Sequence, residues 1–578
     1  MIIRDVSEVL ANVGLRSPDL ELLRPNENRY TCLLLQPSGP IFAGRQRIGL
    51  HERGTGARKA DEFLTVAIAK HAHLAVAPEY FFPWDVLEQN ICNGRHPEVN
   101  SIWVLGCESI DKARLVSFKA NVHGHCTVLH EEVDGLQEDR NFFDPIALIF
   151  HALDLQGNSH LVVLIQFKTA PSRDDLFFEE GVLRCGTCVY KFKGPDQTLS
   201  LTTINCSDAF GINDALVSQL TDRATLLHVQ LNPDPRNTVY RKYRKTTFET
   251  DPDTSNCHIV CLNWAGGVVQ FDDSGNEENW PAEASSAWYC PDSRCKCSDD
   301  IVLPNHNNGL YYTYMEERRH ALMFHYSEAI FELLVPKVTT RGNAVQANRN
   351  GPTATNRLTW NANVSQWEAA PITDAGFTSF LAEAPDVANA LADVLPNASP
   401  IDIERLLAIS SGAVNGLDGW HNTKELDSCR IKSDEVVRRV TVAQDGHADA
   451  RSFRWTRAWK AAEIRNLIDT NMEWPPQVAD ITHAASIRWS MAAPQFNVRG
   501  ADGRPALIVY LGGDGMPARD LEKVTSKLTN LLRSVGGPYQ RRICIAYRTL
   551  GHLKFAPMPF TRFDDAMEDE TDILTVQP

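Results

Sequence analysis

The amino-acid sequence predicts an α/β fold in two parts, and three observations support this expectation. Up to residue 337, short apolar runs of strand length alternate with stretches that have the spacing of amphipathic helices. Residues 338–373 contain few aliphatic side chains and much Asn, Thr, Gly and Ala, which is typical of a long linker or a surface arm. Apolar periodicity returns in residues 374–578. We therefore expect an α/β domain over 1–337, a linker or arm over 338–373, and a separate C-terminal α/β or α+β domain over 374–578.

The first part begins with a short apolar strand, TCLLLQ at 31–36, and a stretch of helical spacing at 57–72. Further strand-length runs follow in chain order: HLAVAPEYFF, SIWVLGCES, HLVVLIQFK, LSLTTINCS, ATLLHVQL, CHIVCLNW and AIFELLVPKV. Strands interrupted by helices predict an α/β domain, although several of these runs are close enough in sequence to pair as antiparallel hairpins.

The C-terminal part has helices and strands of its own. Ser399-Pro400 is a suitable start for a helix, because serine caps a helix N-terminus and proline fits its first turn. Later, the strand ALIVYL runs into the glycine turn Gly512-Gly513-Asp514-Gly515, which an amphipathic helix and the strand RRICIAYR follow. A plain strand–turn–helix connection explains this turn, and the C-terminal patterns do not indicate a specific task.

Composition excludes several classes of protein. The 578 residues are 43% hydrophobic and 22% charged, close to an ordinary globular average, and the formal net charge is −16. No overall basic surface for nucleic acid is present, so nucleic-acid binding is not expected. No apolar run reaches the roughly 18 residues that a bilayer span needs, and the N-terminus lacks the apolar core of a secretory signal. We expect a cytoplasmic protein, without membrane association, whose 14 cysteines are reduced.

Three chemically reactive side chains stand at the ends of predicted strands. Glu79 closes the run LAVAPEYFF, Lys168 closes VVLIQFK, and Cys206 closes SLTTINC. In open α/β folds, ligands bind outside the carboxyl ends of strands, so the three side chains could converge on one pocket. Taken singly, each has a structural explanation: a surface acid, a solvated strand end, and a small buried thiol.

The residues around these positions resemble the nitrilase or carbon–nitrogen hydrolase superfamily over about residues 28–337. That family has strands ending in Pro-Glu-aromatic, in a hydrophobic residue and Lys, and in Cys-x-Asp. This chain has Ala77-Pro78-Glu79-Tyr80, Phe167-Lys168 and Cys206-Ser207-Asp208 in the same order. Downstream, Leu231-Asn232-Pro233 and the segment 261–267 (CLNWAGG) are similar to two further family turns. The resemblance implies an α-β-β-α sandwich.

The family also has a second catalytic glutamate, for which the sequence offers two candidates. Counting the family's Phe-x-Glu pattern from Glu179 places Phe177, Leu183 and Gly186 at the expected positions, whereas counting from Glu180 places Arg184 and Thr187 there. Glu179 therefore fits the pattern better, and we expect it to orient Lys168 and the substrate.

The resemblance implies a Glu79–Lys168–Cys206 triad supported by Glu179, with no cofactor and no metal. Amide cleavage by a thiol requires a base, which Glu79 would supply. The developing oxyanion requires fixed donors, which Lys168 and the backbone N–H of Ser207 would supply. Because Cys-x-Asp is commoner in the amidase and carbamoyl-hydrolase branches, we expect a small-molecule amide or ureide rather than a nitrile as substrate. Family members usually associate, so a homodimer or higher oligomer is expected.

The sequence departs from the family pattern at several positions. Phe167 stands where an arginine is usual, Thr169-Ala170-Pro171 replaces a His-Leu pair, and the stretch 271–300 is longer and more polar than the family's hairpin. These departures bear on substrate identity more than on the triad.

The sequence is also compatible with other functions. The chain could be a sensor, effector or binding component of a multi-protein defence or signalling assembly, or an acyltransferase that uses the same thioester. The C-terminal domain could regulate the enzyme, recognise substrate or recruit a protein partner. A four-cysteine zinc site is a further alternative, with its ligands drawn from Cys185, Cys188, Cys290, Cys295 and Cys297.

Overall fold

The computed structural model describes most of the chain, and every structural statement below concerns these residues. They are 1–26, 28–172, 179–221, 224–233, 257–280, 286–290, 304–305, 307–315, 319–337, 351–371, 384–392, 394, 400–412, 448–470, 472–490, 493, 495–513, 517–535 and 537–558. Side chains are not described for residues 214, 218, 221, 311–315, 319–320, 400–402, 404–405, 448–454 and 534–535.

The described residues form two compact units. Residues up to 371 lie in the first unit, and those from 384 onward lie in the second. The expected α/β fold with an additional C-terminal domain is confirmed at this level. The exact boundaries at 337 and 373 remain a prediction, and part of the expected linker has a different structure, described below.

A nine-stranded sheet forms one central layer of the first unit within the described residues. With strands numbered in chain order, its order is β21 (Gln366–Ala369), β20 (Thr353–Asn361), β19 (Ala329–Pro336), β2 (Arg29–Gln36), β5 (Leu74–Phe82), β6 (Ile102–Cys107), β8 (Pro145–Leu153), β9 (Ser159–Phe167) and β7 (Thr127–His130). Strand β5 is parallel to β6, β6 is antiparallel to β8, and β8 is antiparallel to β9. Strands β5 and β9 therefore run in the same direction and end at the same edge of the sheet.

An eight-stranded sheet forms the second central layer of the described first unit. Its order is β1 (Ile2–Asp5), β10 (Cys188–Lys193), β11 (Ser200–Asn205), β12 (Ala224–Val229), β13 (His258–Leu262), β16 (Ala287–Cys290), β18 (Arg319–Phe324) and β17 (Leu310–Met315). The three strands β11, β12 and β13 are parallel neighbours. The two sheets face each other, since β5 contacts β12 and β13, and β9 contacts β10.

Helices cover the outer faces of both sheets. The five helices described in this unit are α1 (Val6–Ala11), α2 (Arg53–Ala69), α3 (Trp84–Cys92), α4 (Lys112–Asn121) and α5 (Asp214–Thr221). Helix α2 packs on β5, while α1 packs on β10 and α5 on β12. Alternate residues of β5 and β6 join α2 in one apolar core, for example Ala75 and Trp103 against Phe63 and Leu64. The layers are therefore helix, sheet, sheet, helix, as expected.

A small sheet lies beside the sandwich. Its order among the described strands is β15 (Glu277–Asn279), β14 (Val269–Phe271), β3 (Pro40–Ala43) and β4 (Ile48–Leu50). A 3-10 turn at Glu21–Leu23 precedes β2.

The interpretation of residues 338–373 as a linker or arm is wrong for the part that the structure describes. Strands β20 and β21 form an antiparallel hairpin that extends the nine-stranded sheet next to β19. Trp367 is 7% exposed, its indole N–H donates to the Lys59 carbonyl, and its ring packs against Trp360. Trp360 and Trp367 supply the buried apolar area that aliphatic side chains provide in most strands. The small number of aliphatic residues therefore gave no indication of these strands. Residues 338–350 and 372–373 lie outside the described residues.

The second unit is itself an α/β fold. Its described helices are α6 (Pro385–Ala390), α7 (Pro400–Ser410), α8 (Ala448–Asp469) and α9 (Ala518–Val535), with a 3-10 turn at Pro476–Val478. Its sheet has the order β22 (Ser486–Ile487), β23 (Val498–Arg499), β24 (Pro505–Tyr510), β25 (Ile543–Thr549) and β26 (His552–Phe555). Strands β24 and β25 are parallel, and α9 lies between them in the chain, so they form a β-α-β unit.

Membrane-spanning helices are not found in this chain: within its described residues, no helix combines the length and the apolar character that a span requires. Asp514 and Gly515 of the expected glycine turn lie outside the described residues.

Replacing Trp367 tests whether the β20–β21 hairpin belongs to the sandwich. We expect Trp367→Ala to lower the free energy of unfolding of the first unit by about 3–5 kcal/mol, because a buried indole is replaced by a cavity. The matched control is Val364→Ala in the connecting turn, where the side chain is 53% exposed and the change should stay within about 0.5 kcal/mol. Chemical denaturation monitored by circular dichroism measures both. Equal stability of the two variants would show that the hairpin is not part of the packed core.

Candidate active site

Glu79 lies where the regular pairing of β5 is interrupted. The register between β5 and β6 shifts between Ala77 and Phe82, and Tyr80 has a φ of +59°. A positive φ is uncommon outside glycine, so this kink is a local constraint that the surrounding packing maintains. Gly106 on β6 permits the kink, because a Cβ atom there would lie 2.3 Å from the Pro78 carbonyl oxygen. The kink orients the Glu79 side chain into the interior, where it is 1% exposed.

Lys168 follows the last residue of β9 and is also buried. Its Nζ donates to Glu79 Oε1 at 2.7 Å and to Glu179 Oε1 at 2.7 Å and Oε2 at 2.9 Å. Because β8 and β9 are an antiparallel pair, Lys168 stands directly opposite Asp144, and its backbone N–H donates to the Asp144 carbonyl at 2.9 Å. The Asp144 carboxylate lies 3.4 Å from Nζ. One ammonium group therefore faces three carboxyl groups.

The electrostatic environment favours a charged lysine. Burial disfavours the ammonium form, but the Glu179 and Glu79 carboxylates outweigh this effect and raise the pKa of Lys168 well above its ordinary value. Burial raises the pKa of Glu79, which Lys168 partly counteracts and Glu179 reinforces. Lys168 is thus a permanent cation at neutral pH beside a carboxylate that accepts protons more readily than a surface glutamate.

Glu179 occupies the position expected of the second glutamate. Besides Lys168, its carboxylate accepts hydrogen bonds from the Tyr80 hydroxyl at 2.7 Å and from the Ser172 backbone N–H. Glu179 is 1% exposed, whereas Glu180 is exposed at the surface. The structure therefore places Glu179, and not Glu180, in contact with Lys168. Phe177, which served in the sequence argument, lies outside the described residues.

Cys206 lies at the sharp turn that ends β11. It has a φ of +37°, is 3% exposed, and begins a 3-10 turn over Cys206–Gly211. Ser207 is the second residue of this turn. The thiol is near enough to Lys168 to contribute to raising the pKa of that lysine.

Hydrogen bonds connect the Cys206 turn to the segment that follows Lys168. The buried Asp208 carboxylate accepts the backbone N–H of Thr169 at 2.6 Å and its hydroxyl at 2.8 Å, while its other oxygen accepts the Asn205 N–H at 3.0 Å. The Ser207 hydroxyl donates to the Ala170 carbonyl at 2.6 Å. The carboxyl end of β11 in one sheet is thereby fixed against the carboxyl end of β9 in the other.

Two further turns support Glu79. The Leu231 backbone N–H donates to Glu79 Oε2, and the Trp264 indole N–H donates to the Glu79 carbonyl at 2.8 Å. Asn232 and Asn263 hold these turns together through two hydrogen bonds, N–H to Oδ1 at 3.0 Å and Nδ2 to carbonyl at 2.8 Å. The two downstream motifs noted in the sequence therefore lie beside the site.

Two of the departures from the family pattern have a structural explanation. Phe167 lies on the face of β9 opposite to Lys168, where it packs with Phe143 at 4.5 Å under the outer helices. It does not line the site. Thr169 and Ala170, which replace the family's His-Leu pair, form the contacts with the Cys206 turn.

Sequence reasoning missed Asp144, Tyr80 and the Thr169–Asp208 contact. Asp144 could have been found from the hairpin: if β8 and β9 are paired about the turn near Gly157, position 144 faces position 168. The Thr169–Asp208 contact joins two different sheets, and no local pattern in the sequence indicates it.

The described residues contain one group of acidic side chains with the spacing of a metal site, formed by Glu79, Asp144 and Glu179. The Lys168 ammonium contacts all three carboxyl groups, so a cation of the protein already lies where a metal ion would bind. Cys185, Cys188 and Cys290 do not form such a group among the described residues, and Cys295 and Cys297 lie outside them.

Comparisons with known proteins find similar solved structures only. No family model matches the chain, and no curated protein sequence matches it. Solved structures do match. A glutamine-dependent NAD+ synthetase from Acinetobacter baumannii has 14% identity and a TM-score of 0.27, and the alignment covers 66% of this chain and 56% of the synthetase. The chain thus spans little more than half the length of that protein.

Smaller proteins are also similar. An amidase of the nitrilase superfamily from Nesterenkonia has 11% identity and a TM-score of 0.26, with 46% of this chain and 84% of the amidase covered. The NitFhit protein of C. elegans has 11% identity and a TM-score of 0.27, with 45% and 56% covered.

Proposed function

We propose that the chain is a thiol-dependent hydrolase of a non-peptide carbon–nitrogen bond, an amide or a ureide, which acts through a thioester on Cys206. One observation carries the proposal: a buried ammonium group, Lys168, is held between Glu79 and Glu179 at hydrogen-bond distance and lies next to the Cys206 turn. A nucleophile, a base and a fixed positive charge are the groups that amide cleavage by a thiol requires.

In the first half of the reaction, Glu79 accepts the proton of the Cys206 thiol, and the sulfur attacks the carbonyl carbon of the substrate. The carbonyl oxygen becomes an oxyanion, which the Lys168 ammonium and the backbone N–H of Ser207 stabilise. The carbon–nitrogen bond then breaks while Glu79 transfers its proton to the departing nitrogen. An amine or ammonia leaves, and an acyl thioester remains on Cys206.

In the second half, Glu79 accepts a proton from water, and the hydroxyl group attacks the thioester carbon. The carbon–sulfur bond breaks, the carboxylic acid is released, and the proton returns to Cys206. Because burial raises the pKa of Glu79, the base is more basic than a surface carboxylate and better matched to a thiol. Glu79 must be ionised to act, so turnover should decrease as the pH falls through this raised pKa.

The second unit has no assigned part in this chemistry. We propose that it regulates or targets the hydrolase, and that the hydrolase is a cytoplasmic oligomer, as inferred from the sequence.

Cys206→Ala tests the proposed nucleophile. We expect it to abolish ammonia release from a panel of primary amides and ureides, while the melting temperature changes by only a few degrees, because one sulfur atom contributes little packing. Cys32→Ala is the matched control, since Cys32 is a fully buried thiol in β2 whose pKa burial raises far above its ordinary value. Ammonia release by Cys206→Ala at the wild-type rate would exclude Cys206 as the nucleophile.

A second pair of variants separates the base from the cation. Glu79→Gln should lower turnover by ~10²–10⁴ through loss of the base, and Lys168→Met should lower it by ~10²–10³ through loss of an oxyanion donor. The diagnostic difference is the alkylation of Cys206 by iodoacetamide. Without the positive charge of Lys168, alkylation should shift to higher pH; without the negative charge of Glu79, it should persist or shift to lower pH.

Circular dichroism establishes that both variants are folded before labelling, and mass spectrometry of the labelled peptide identifies the reacting thiol. A shift of both profiles in the same direction would contradict the placement of Lys168 and Glu79 around one thiol.

A further inference from the structure

The cluster around Lys168 contains more acidic groups than one ammonium can neutralise. Glu79, Asp144 and Glu179 lie with carboxyl oxygens within 4.8 Å of one another, and Lys168 is the cation that contacts them. All four side chains are at most 1% exposed. If all three carboxyl groups were ionised, the described residues would leave two negative charges uncompensated in the interior, which is unfavourable at low dielectric. One retained proton removes much of this repulsion.

The hydrogen bonds identify the group that holds this proton. Glu79 accepts from Lys168 and from the Leu231 N–H, and Glu179 accepts from Lys168, the Tyr80 hydroxyl and the Ser172 N–H. Among the described residues, neither carboxyl oxygen of Asp144 has a hydrogen-bond donor, and the distance from its Oδ2 to Lys168 Nζ is 3.4 Å. A carboxylate with several donors is stabilised in its charged form, whereas one with none is not.

The groups that face Asp144 come from four parts of the fold. Glu79 and Tyr80 approach from β5, Cys107 from β6, Lys168 from the end of β9, and Glu179 from the segment beyond it. Burial raises the pKa of Asp144 well above its ordinary value, and Glu79 and Glu179 raise it further against the attraction of Lys168. The carboxyl groups of Glu79 and Asp144 are close enough to interact, and this interaction lowers the pKa of Glu79 and raises that of Asp144, as expected when the proton resides on Asp144.

We infer that Asp144 is a neutral carboxylic acid at neutral pH, that it donates its proton in a hydrogen bond to Glu79, and that it is a positioning residue which keeps Glu79 ionised and oriented as the base. The protonation state of Asp144 follows from the geometry and the electrostatics of the cluster and does not depend on the proposed function. Its part in catalysis rests on the proposed function.

Infrared difference spectroscopy of the full chain tests the protonation state. Exposed carboxylates are ionised at neutral pH. The carbonyl stretch of a protonated carboxylic acid therefore falls in a region of the infrared spectrum where few other groups of the protein absorb. We expect this band in the wild-type protein. We expect it to shift when the carboxyl carbon of aspartate is isotopically labelled, and not when that of glutamate is labelled. Asp144→Asn should remove it, whereas Asp85→Asn, an exposed carboxylate in α3, should leave it unchanged. A wild-type band that moves with labelled glutamate, or that survives in Asp144→Asn, would overturn the inference.

The pH profile tests the positioning role. Asp144→Asn keeps a hydrogen-bond donor toward Glu79 and, because Asp144 is neutral, leaves the charge of the cluster unchanged. Turnover of an amide substrate should therefore stay within about threefold of wild type. Asp144→Ala lacks the donor, so the acidic limb of the profile should move to higher pH by about one unit, since a lost donor disfavours the ionised form of Glu79. A uniform loss of turnover at all pH values, in both variants, would show a structural role only.

The protonation state of Asp144 and the proposed hydrolase activity can be refuted independently. If no amide is hydrolysed, the infrared band still decides whether Asp144 is neutral. If the band is absent while Cys206-dependent turnover persists, the proposed function stands and the inference about Asp144 is wrong.

Discussion

The Lys168 ammonium group, buried between two glutamates, is the interaction on which the rest of the site depends. Its short contacts with Glu79 and Glu179 bring β5, β9 and the segment around Glu179 to one point. A buried ion pair contributes little net stability, because desolvation of both partners offsets their attraction, whereas loss of one partner costs about 3–5 kcal/mol. Such a cluster is a costly way to fill an interior, and its arrangement is better explained by the chemistry it permits.

The two sheets supply different parts of the site, and this division explains the geometry. The nine-stranded sheet carries Glu79 at the interruption of β5 and Lys168 directly after the parallel strand β9, while the eight-stranded sheet carries the thiol at the end of β11. Asp208 and Ser207 connect these parts through Thr169 and Ala170. The thiol therefore does not depend on its own strand alone for its position, and a short motif of Cys-x-Asp combines the nucleophile with the residue that fixes it.

The sequence was sufficient to locate the side chains that motifs mark and insufficient where contacts are long-range. Glu79, Lys168 and Cys206 could be predicted because each stands in a recognisable motif beside an apolar run, although Glu79 lies at an interruption within β5 and not at its end. Glu179 could be separated from Glu180 by spacing. Asp144 was missed because its proximity to Lys168 depends on the register of the β8–β9 hairpin. The β20–β21 hairpin was missed because Trp360 and Trp367, and not aliphatic residues, provide its packing. The second unit could be predicted as α/β, but its patterns carry no chemistry.

The central claim is that Cys206 forms a covalent acyl intermediate, and intact-mass spectrometry tests it most directly. The full chain would be incubated with a pool of metabolite amides, quenched with acid during turnover, and compared with Cys206→Ala treated in the same way. The account predicts an added acyl mass on the wild-type chain, assigned by peptide mapping to Cys206 and absent from the variant. Hydrolysis of an amide with no adduct on Cys206, or with an adduct on another residue, would contradict it.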